Sequence, residues 1–198
     1  HPDFFPTLVM NAVLGGLFGS RINLNLREAH GYTYGASSFY DWRRGPGPFV
    51  ISTAVQSEVT APALREILLE IDRIRGERIS EEELSLARDY LDGVFPIRYE
   101  TTSAIASALA TLVIYDLPPD YYDSYRKKVR GVTADAILQA ARAHLHPDGL
   151  QTVVVGDGRV GRCPVSDLSV VEIHIPPSYS HGDMREARER GGQETTRD

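Results

Sequence analysis

The histidines of this chain, His1, His30, His144, His146, His174 and His181, are the side chains best suited to hold a metal or move a proton near neutral pH. None of them forms H-x-x-E-H or H-E-x-x-H, the spacings that set two imidazoles and a carboxylate on one helix face around zinc. No zinc site of that kind is expected within the chain. His144 and His146 stand at the end of an expected helix, where alternate side chains diverge around the axis, and Pro147-Asp148-Gly149 then turns away. The favourable end of a helix dipole explains them better than a ligand pair does. The single Cys163 excludes an internal disulfide and a cysteine-based metal site, and reads as an inert packing or surface residue. Gly156-Asp157-Gly158 follows a strand-like run but lacks the glycine spacing and the lysine of a phosphate loop, so a turn is expected there.

Bulk properties narrow the function classes further. The 198 residues are 42% hydrophobic and 24% charged, the make-up of one soluble domain with a well-filled core. A net charge of −6 argues against nucleic acid or an anionic membrane as partner, because both select basic patches. The clearest basic cluster, Arg126-Lys127-Lys128, reads as a solvated helix face. No apolar run reaches the roughly 20 residues that span a bilayer. Ala104 to Tyr115 is apolar but shorter, and is expected to be a buried helix. No targeting signal follows His1-Pro2-Asp3, an opening that reads like a cut through a longer polypeptide.

The elements that would position any site come next. Thr7 to Leu14 carries a helical pattern that Gly15-Gly16 stops. Ser20 is placed to cap a second helix with Ile22, Leu24 and Leu26 on its apolar side and Gly31 as its left-handed stop. Tyr32 to Asp41 reads as a strand, joined through Arg43-Arg44-Gly45-Pro46-Gly47-Pro48 to a second strand from Phe49 to Gln56, an antiparallel hairpin. Leu64, Ile67, Leu68, Ile71 and Ile74 recur at helical spacing between Pro62 and Gly76, predicting an amphipathic helix on a sheet. Ser80 and Glu83 form a capping box for a helix that Gly93 and Pro96 should interrupt. Thr101 or Thr102 caps a helix rich in alanine that Pro118-Pro119 ends; a short helix surrounds Tyr122 and Tyr125; Thr133 caps one reaching about His144. Thr152 to Val155 reads as a buried strand and Val170 to Ile175 as an edge strand. Beyond Pro176-Pro177 little can be buried, so residues 176–198 are expected to be a flexible charged tail after a domain covering 1–175. The class is α+β, a mostly antiparallel sheet with helices packed on one face.

Asn11-Ala12-Val13-Leu14-Gly15-Gly16, Gly19-Ser20-Arg21, Leu26-Arg27-Glu28 and Gly31-Tyr32-Thr33-Tyr34-Gly35-Ala36-Ser37-Ser38 together resemble the signature of the second, zinc-free domain of pitrilysin/insulinase-type metallopeptidases. The resemblance continues more weakly to Val153-Val154-Val155-Gly156-Asp157. It implies a half of a pitrilysin- or mitochondrial-processing-peptidase-like subunit, one whose usual opening strand is missing. In that family a zinc-bearing half and a zinc-free half close around an unfolded peptide. The zinc-free half contributes an arginine and a tyrosine seven positions apart, and that pattern falls on Arg27 and Tyr34; Tyr32 has the wrong spacing, and no catalytic role is attached to His30. The cofactor so implied is zinc, held by an H-x-x-E-H partner domain or subunit, and the other partner is a peptide or unfolded protein.

Hydrolysis at zinc needs an activated water, a carboxylate to carry its proton and donors aimed at the carbonyl oxygen as it becomes an oxyanion. With the first two on a partner, the guanidinium of Arg27 and the phenol of Tyr34 suit the donor role, Arg27 from the last turn of a helix and Tyr34 from the following strand. A plainer reading stands beside this: arginine is favoured near a helix C-terminus, and tyrosine is routine on a half-buried strand. Two other functions share the fold. One is a catalytically silent structural subunit, like the core proteins of respiratory complexes; the other is a peptide-binding module that adds a strand to a sheet edge.

Overall fold

In a computed structural model the residues described are 1–157 and 170–175. The class is the α+β expected. Helix α1 (Phe4–Asn11) continues as a π-helical turn over Ala12–Gly16. A one-turn helix α2 (Arg21–Asn23) likewise widens into a π-helical segment, Leu24–Ala29. Strands β1 (Ala36–Tyr40) and β2 (Phe49–Thr53) follow, then the helices α3 (Thr60–Gly76), α4 (Glu81–Ile97), α5 (Thr102–Ile114), α6 (Tyr121–Arg130) and α7 (Ala134–His144). Strands β3 (Thr152–Asp157) and β4 (Val170–Ile175) come last.

The chain divides into two compact units, one of residues 1–56 with 62–149 and one of residues 57–61 with those from 150 onward. In the first, β1 and β2 pair antiparallel with Ala36 opposite Thr53 and Tyr40 opposite Phe49, the hairpin expected from the glycine- and proline-rich turn. Behind it, Val9, Met10, Leu14, Ile22, Leu26, Ile71, Ile74, Leu84, Val129 and Ile137 form the buried core. The α1 turn reaches β1 by close backbone approach. Asn11 Nδ2 donates to the Ser38 carbonyl at 3.1 Å and the Ser38 hydroxyl donates to Asn11 Oδ1 at 2.7 Å. A side chain at Gly15 would start 2.6 Å from Ser38 Oγ, so glycine is required there for packing. In the second unit β3 and β4 pair parallel, Thr152 opposite Val170 and Asp157 opposite Ile175.

Local signals were legible where they are chemical. Ser80 and Glu83 form both halves of a capping box on α4, Thr101 accepts from the Ala104 amide on α5, and Thr133 does the same from Ala136 on α7. Gly31 has φ +65°, the left-handed stop. Other expectations are corrected. Ser20 occupies the cap position of α2 but makes no capping bond, because its hydroxyl accepts from Asn23 Nδ2 at 3.1 Å. The strand expected from Tyr32 begins only at Ala36, and its partner ends at Thr53. Helix α4 runs through Gly93 and past Pro96 to Ile97, since packing of Leu84, Ala87 and Leu91 outweighs the glycine and the proline falls in the last turn.

Helix α5 is not buried: none of its residues is, and Ile105, Leu109, Val113 and Ile114 all face solvent. Ala104, Ala108, Thr111 and Leu112 form its half-buried face, where the short side chains let α6 come close enough for Tyr122 to donate to the Ala108 carbonyl at 3.3 Å. The valines of β3 are likewise exposed at Val153 and Val155 rather than buried, and Gly156 and Asp157 belong to the strand instead of a turn. Gly158, Cys163, His181 and the tail at 176–198 lie outside the described residues.

Candidate functional site

The segment that carries Arg27 is fixed from three sides. Leu26 is fully buried. Asn25 Nδ2 donates to Glu66 Oε2 and Glu70 Oε1, each at 2.9 Å, tying the segment to α3, where Glu70 is itself buried. Arg21 grips Glu83 with Nε at 2.5 Å and Nη2 at 3.0 Å, tying it to α4. That guanidinium holds the Glu83 carboxyl below its ordinary value, against the opposing effect of burial. Arg27 therefore projects from a π-helical turn, a local widening often met at functional sites, and not from the end of an ordinary α-helix.

The Arg27 side chain is 15% exposed and is turned back on its own segment. Its guanidinium carbon lies 3.3 Å above the Phe18 ring centroid, while Nε and Nη2 donate to Glu28 Oε1 at 2.9 and 2.5 Å. Nη1 is buried and has no hydrogen-bond partner among the described residues. Phe18 is 76% exposed and forms a stacking floor for the arginine, a contact that the sequence signalled only as a large aromatic isolated between glycines.

Tyr34 lies before β1, not in it, and is fully exposed. Its backbone is nevertheless held. Thr33 Oγ1 lies 2.8 Å from the carbonyls of both Gly35 and Ala54, its one hydrogen serving either, and accepts from the Gly35 amide at 3.1 Å. Thr53 Oγ1 lies 3.1 Å from Thr33 Oγ1 and 3.1 Å from the Gly35 carbonyl. From the helical side, buried Asn23 donates to the Ala36 carbonyl at 2.7 Å and accepts from its amide at 2.8 Å. The Tyr34 phenol is thus free on a short, clamped loop, and no hydrogen bond links it to Arg27 among the described residues. Tyr32, the less suited tyrosine, is instead stacked on His30 with centroids 4.9 Å apart.

The histidines follow a different logic. His146 is exposed. His144, however, meets Asp3 with Nε2 2.9 Å from Oδ2, and His1 joins them, a grouping of chain start and α7 end that local spacing could not reveal. A shallow cavity of about 40 Å³ between Val13, Leu17, Leu24 and Leu86 is too small for a substrate. No helix among the described residues is long and apolar enough to cross a membrane.

Comparison with known proteins agrees with the resemblance read from residues 11–38. Residues 1–91 match the family described as the peptidase M16 inactive domain. Among solved structures, the peptidase M16 inactive domain from Pseudomonas fluorescens is 25% identical with a TM-score of 0.68, over 74% of this chain and 35% of that one. The inactive peptidase domain of a candidate zinc protease from Bordetella parapertussis is 21% identical with a TM-score of 0.61, over 72% of this chain and 78% of that one. The same fold occurs in complex III from Candida albicans, at 14% identity and a TM-score of 0.61, over 72% of this chain and 36% of that one. This chain spans about a third of the Pseudomonas and Candida chains. No curated protein matches its sequence. Through residues 1–91 and the fold shared with those structures, the chain is similar to the inactive domain of the peptidase M16 family.

Proposed function

We propose that this chain is the zinc-free half of a metalloendopeptidase, closing over an unfolded peptide and holding its scissile carbonyl with Arg27 and Tyr34. The observation that carries this reading is a wholly solvent-exposed phenol on a clamped loop, close in sequence to an arginine whose guanidinium lies over the exposed Phe18 ring. A tyrosine kept for packing would bury its ring; Tyr34 does not.

The described residues supply no H-x-x-E-H set, so the hydrolytic zinc does not fit here and belongs to a partner domain or subunit that would provide the activated water. What this chain contributes is positioning and charge. Tyr34 donates from its hydroxyl to the carbonyl oxygen, and Arg27 leaves Glu28 or shares its guanidinium, adding a fixed positive charge where the oxyanion grows. Phe18, beneath Arg27, keeps the guanidinium plane oriented while that exchange occurs.

The test mixes the full chain with a zinc-loaded M16 domain bearing H-x-x-E-H and follows cleavage of an unfolded peptide. Arg27→Ala and Tyr34→Phe are each expected to lower kcat by about 10²–10³. Unchanged turnover in both variants removes the assignment. A silent structural subunit is the competing reading, favoured by the one fact that Arg27 is folded onto Phe18 and Glu28. In that case the assembled pair shows no turnover even in the wild type.

A further inference from the structure

We infer that His1, Asp3 and His144 form a binding site for a first-row divalent metal ion, zinc being the natural probe, that clips the start of α1 to the end of α7. This is independent of the peptidase reading and concerns architecture, not hydrolysis. Each of the three offers one ligand atom, and these atoms all lie within 4.8 Å of one another. His144 Nε2 stands 2.9 Å and His1 Nδ1 3.8 Å from Asp3 Oδ2. Ligands on zinc at bond lengths near 2.0–2.1 Å in a tetrahedron sit about 3.3 Å apart, so the two observed separations bracket the requirement. Side-chain rotation would bring the group to a coordination shell whose remaining positions water would fill.

The His1 Nδ1 lone pair accepts the Asp3 amide at 3.2 Å, so metal binding would have to displace that hydrogen bond. The positions of Asp3 and His144 are set in advance, because α1 and α7 pack directly on one another. Two imidazoles with one carboxylate suit zinc, cobalt, nickel or copper, whereas calcium and magnesium prefer oxygen alone. The pairing escapes any local motif because the ligands come from opposite ends of the first unit.

The experiment is calorimetric titration of the tag-free chain with zinc chloride, together with its thermal midpoint with and without zinc. One zinc per chain with micromolar Kd and a raised midpoint are expected, since an ion that binds only the folded state stabilises it by mass action. Asp3→Asn, which keeps the shape and can still hydrogen-bond His144, and His144→Ala should each weaken binding by at least about tenfold. His146→Ala, two positions away, should leave binding unchanged. Absence of saturable binding at millimolar zinc overturns the site. So does full affinity in His144→Ala, which would assign the ion to local chelation at His1 alone.

Discussion

Asn23 carries more of the site than its place in an apolar segment suggests. It is buried, and its Nδ2, with two hydrogens to share, lies 3.0, 3.1 and 2.7 Å from the Leu17 carbonyl, the Ser20 hydroxyl and the Ala36 carbonyl, while its oxygen receives the Ala36 amide. One side chain thereby joins the loop before α2 to the first residue of β1, two residues after Tyr34. Asn23→Ala leaves those backbone groups without a partner and is expected to cost about 2–3 kcal/mol, read as a shift of the denaturant midpoint. A loss below half a kilocalorie would show that water replaces the side chain and that the clamp is not structural. Tyr34 is the opposite case: its hydroxyl holds nothing among the described residues, so Tyr34→Phe should change stability by less than about 0.5 kcal/mol. That neutrality makes any loss of cleavage in Tyr34→Phe a statement about substrate, whereas Arg27→Ala also strips the cover from Phe18 and needs the stability measurement beside it.

Helix α5 separates what an element can bury from what it does bury. Its stripe of Ile105, Leu109 and Val113, four residues apart on one face, is 47, 58 and 80% exposed. Substituting lysine at Leu109 and Val113 is therefore expected to leave the thermal midpoint within the range of a surface change, about 0.5 kcal/mol each; a cooperative loss of several degrees would mean the stripe is packed in solution. The sequence spoke clearly wherever the cause lies within four residues. Ser80 with Glu83, Thr101, Thr133 and Gly31 all adopt the roles their side chains imply, because capping and left-handed turns are decided locally. It spoke poorly wherever the cause lies across the fold. Apolar runs over α5 and β3 told of capacity for burial and not of a neighbour, and Gly93 did not break α4 because Asp92, next to it, is held by α6. For the site the same division holds. Arg27 and Tyr34 were selected by motif, but the π-helical turn, the Phe18 floor and the Thr33 clamp depend on contacts no spacing encodes.

At the scale of the molecule, two carboxylates join distant parts of the first unit. Glu83 on α4 receives Arg21, and buried Asp92 on α4 receives Arg126 at 2.6 and 2.8 Å together with Arg130, both from α6. Hydrogen bonds from Arg126, then Arg130, hold the Asp92 carboxyl far below the usual carboxylate range, and the guanidinium of Arg21 lowers Glu83. A depressed folded-state pKa means that the unfolded chain takes up protons first as the solution is acidified. The stabilisation is complete above the unfolded values near 4, and fades as pH falls below them toward the lower folded values. The thermal midpoint should therefore be level from neutrality down to about pH 5 and decline steeply below about pH 4. Asp92→Asn gives the decisive comparison, because it keeps the shape but removes the titrating charge. Its midpoint should lie well below that of the wild type at pH 7, with the gap narrowing steadily under acid conditions as the native Asp92 is itself neutralised. A gap that stays constant down to pH 2 would mean that Asp92 stabilises through packing and neutral hydrogen bonds, and that acid sensitivity arises elsewhere in the chain.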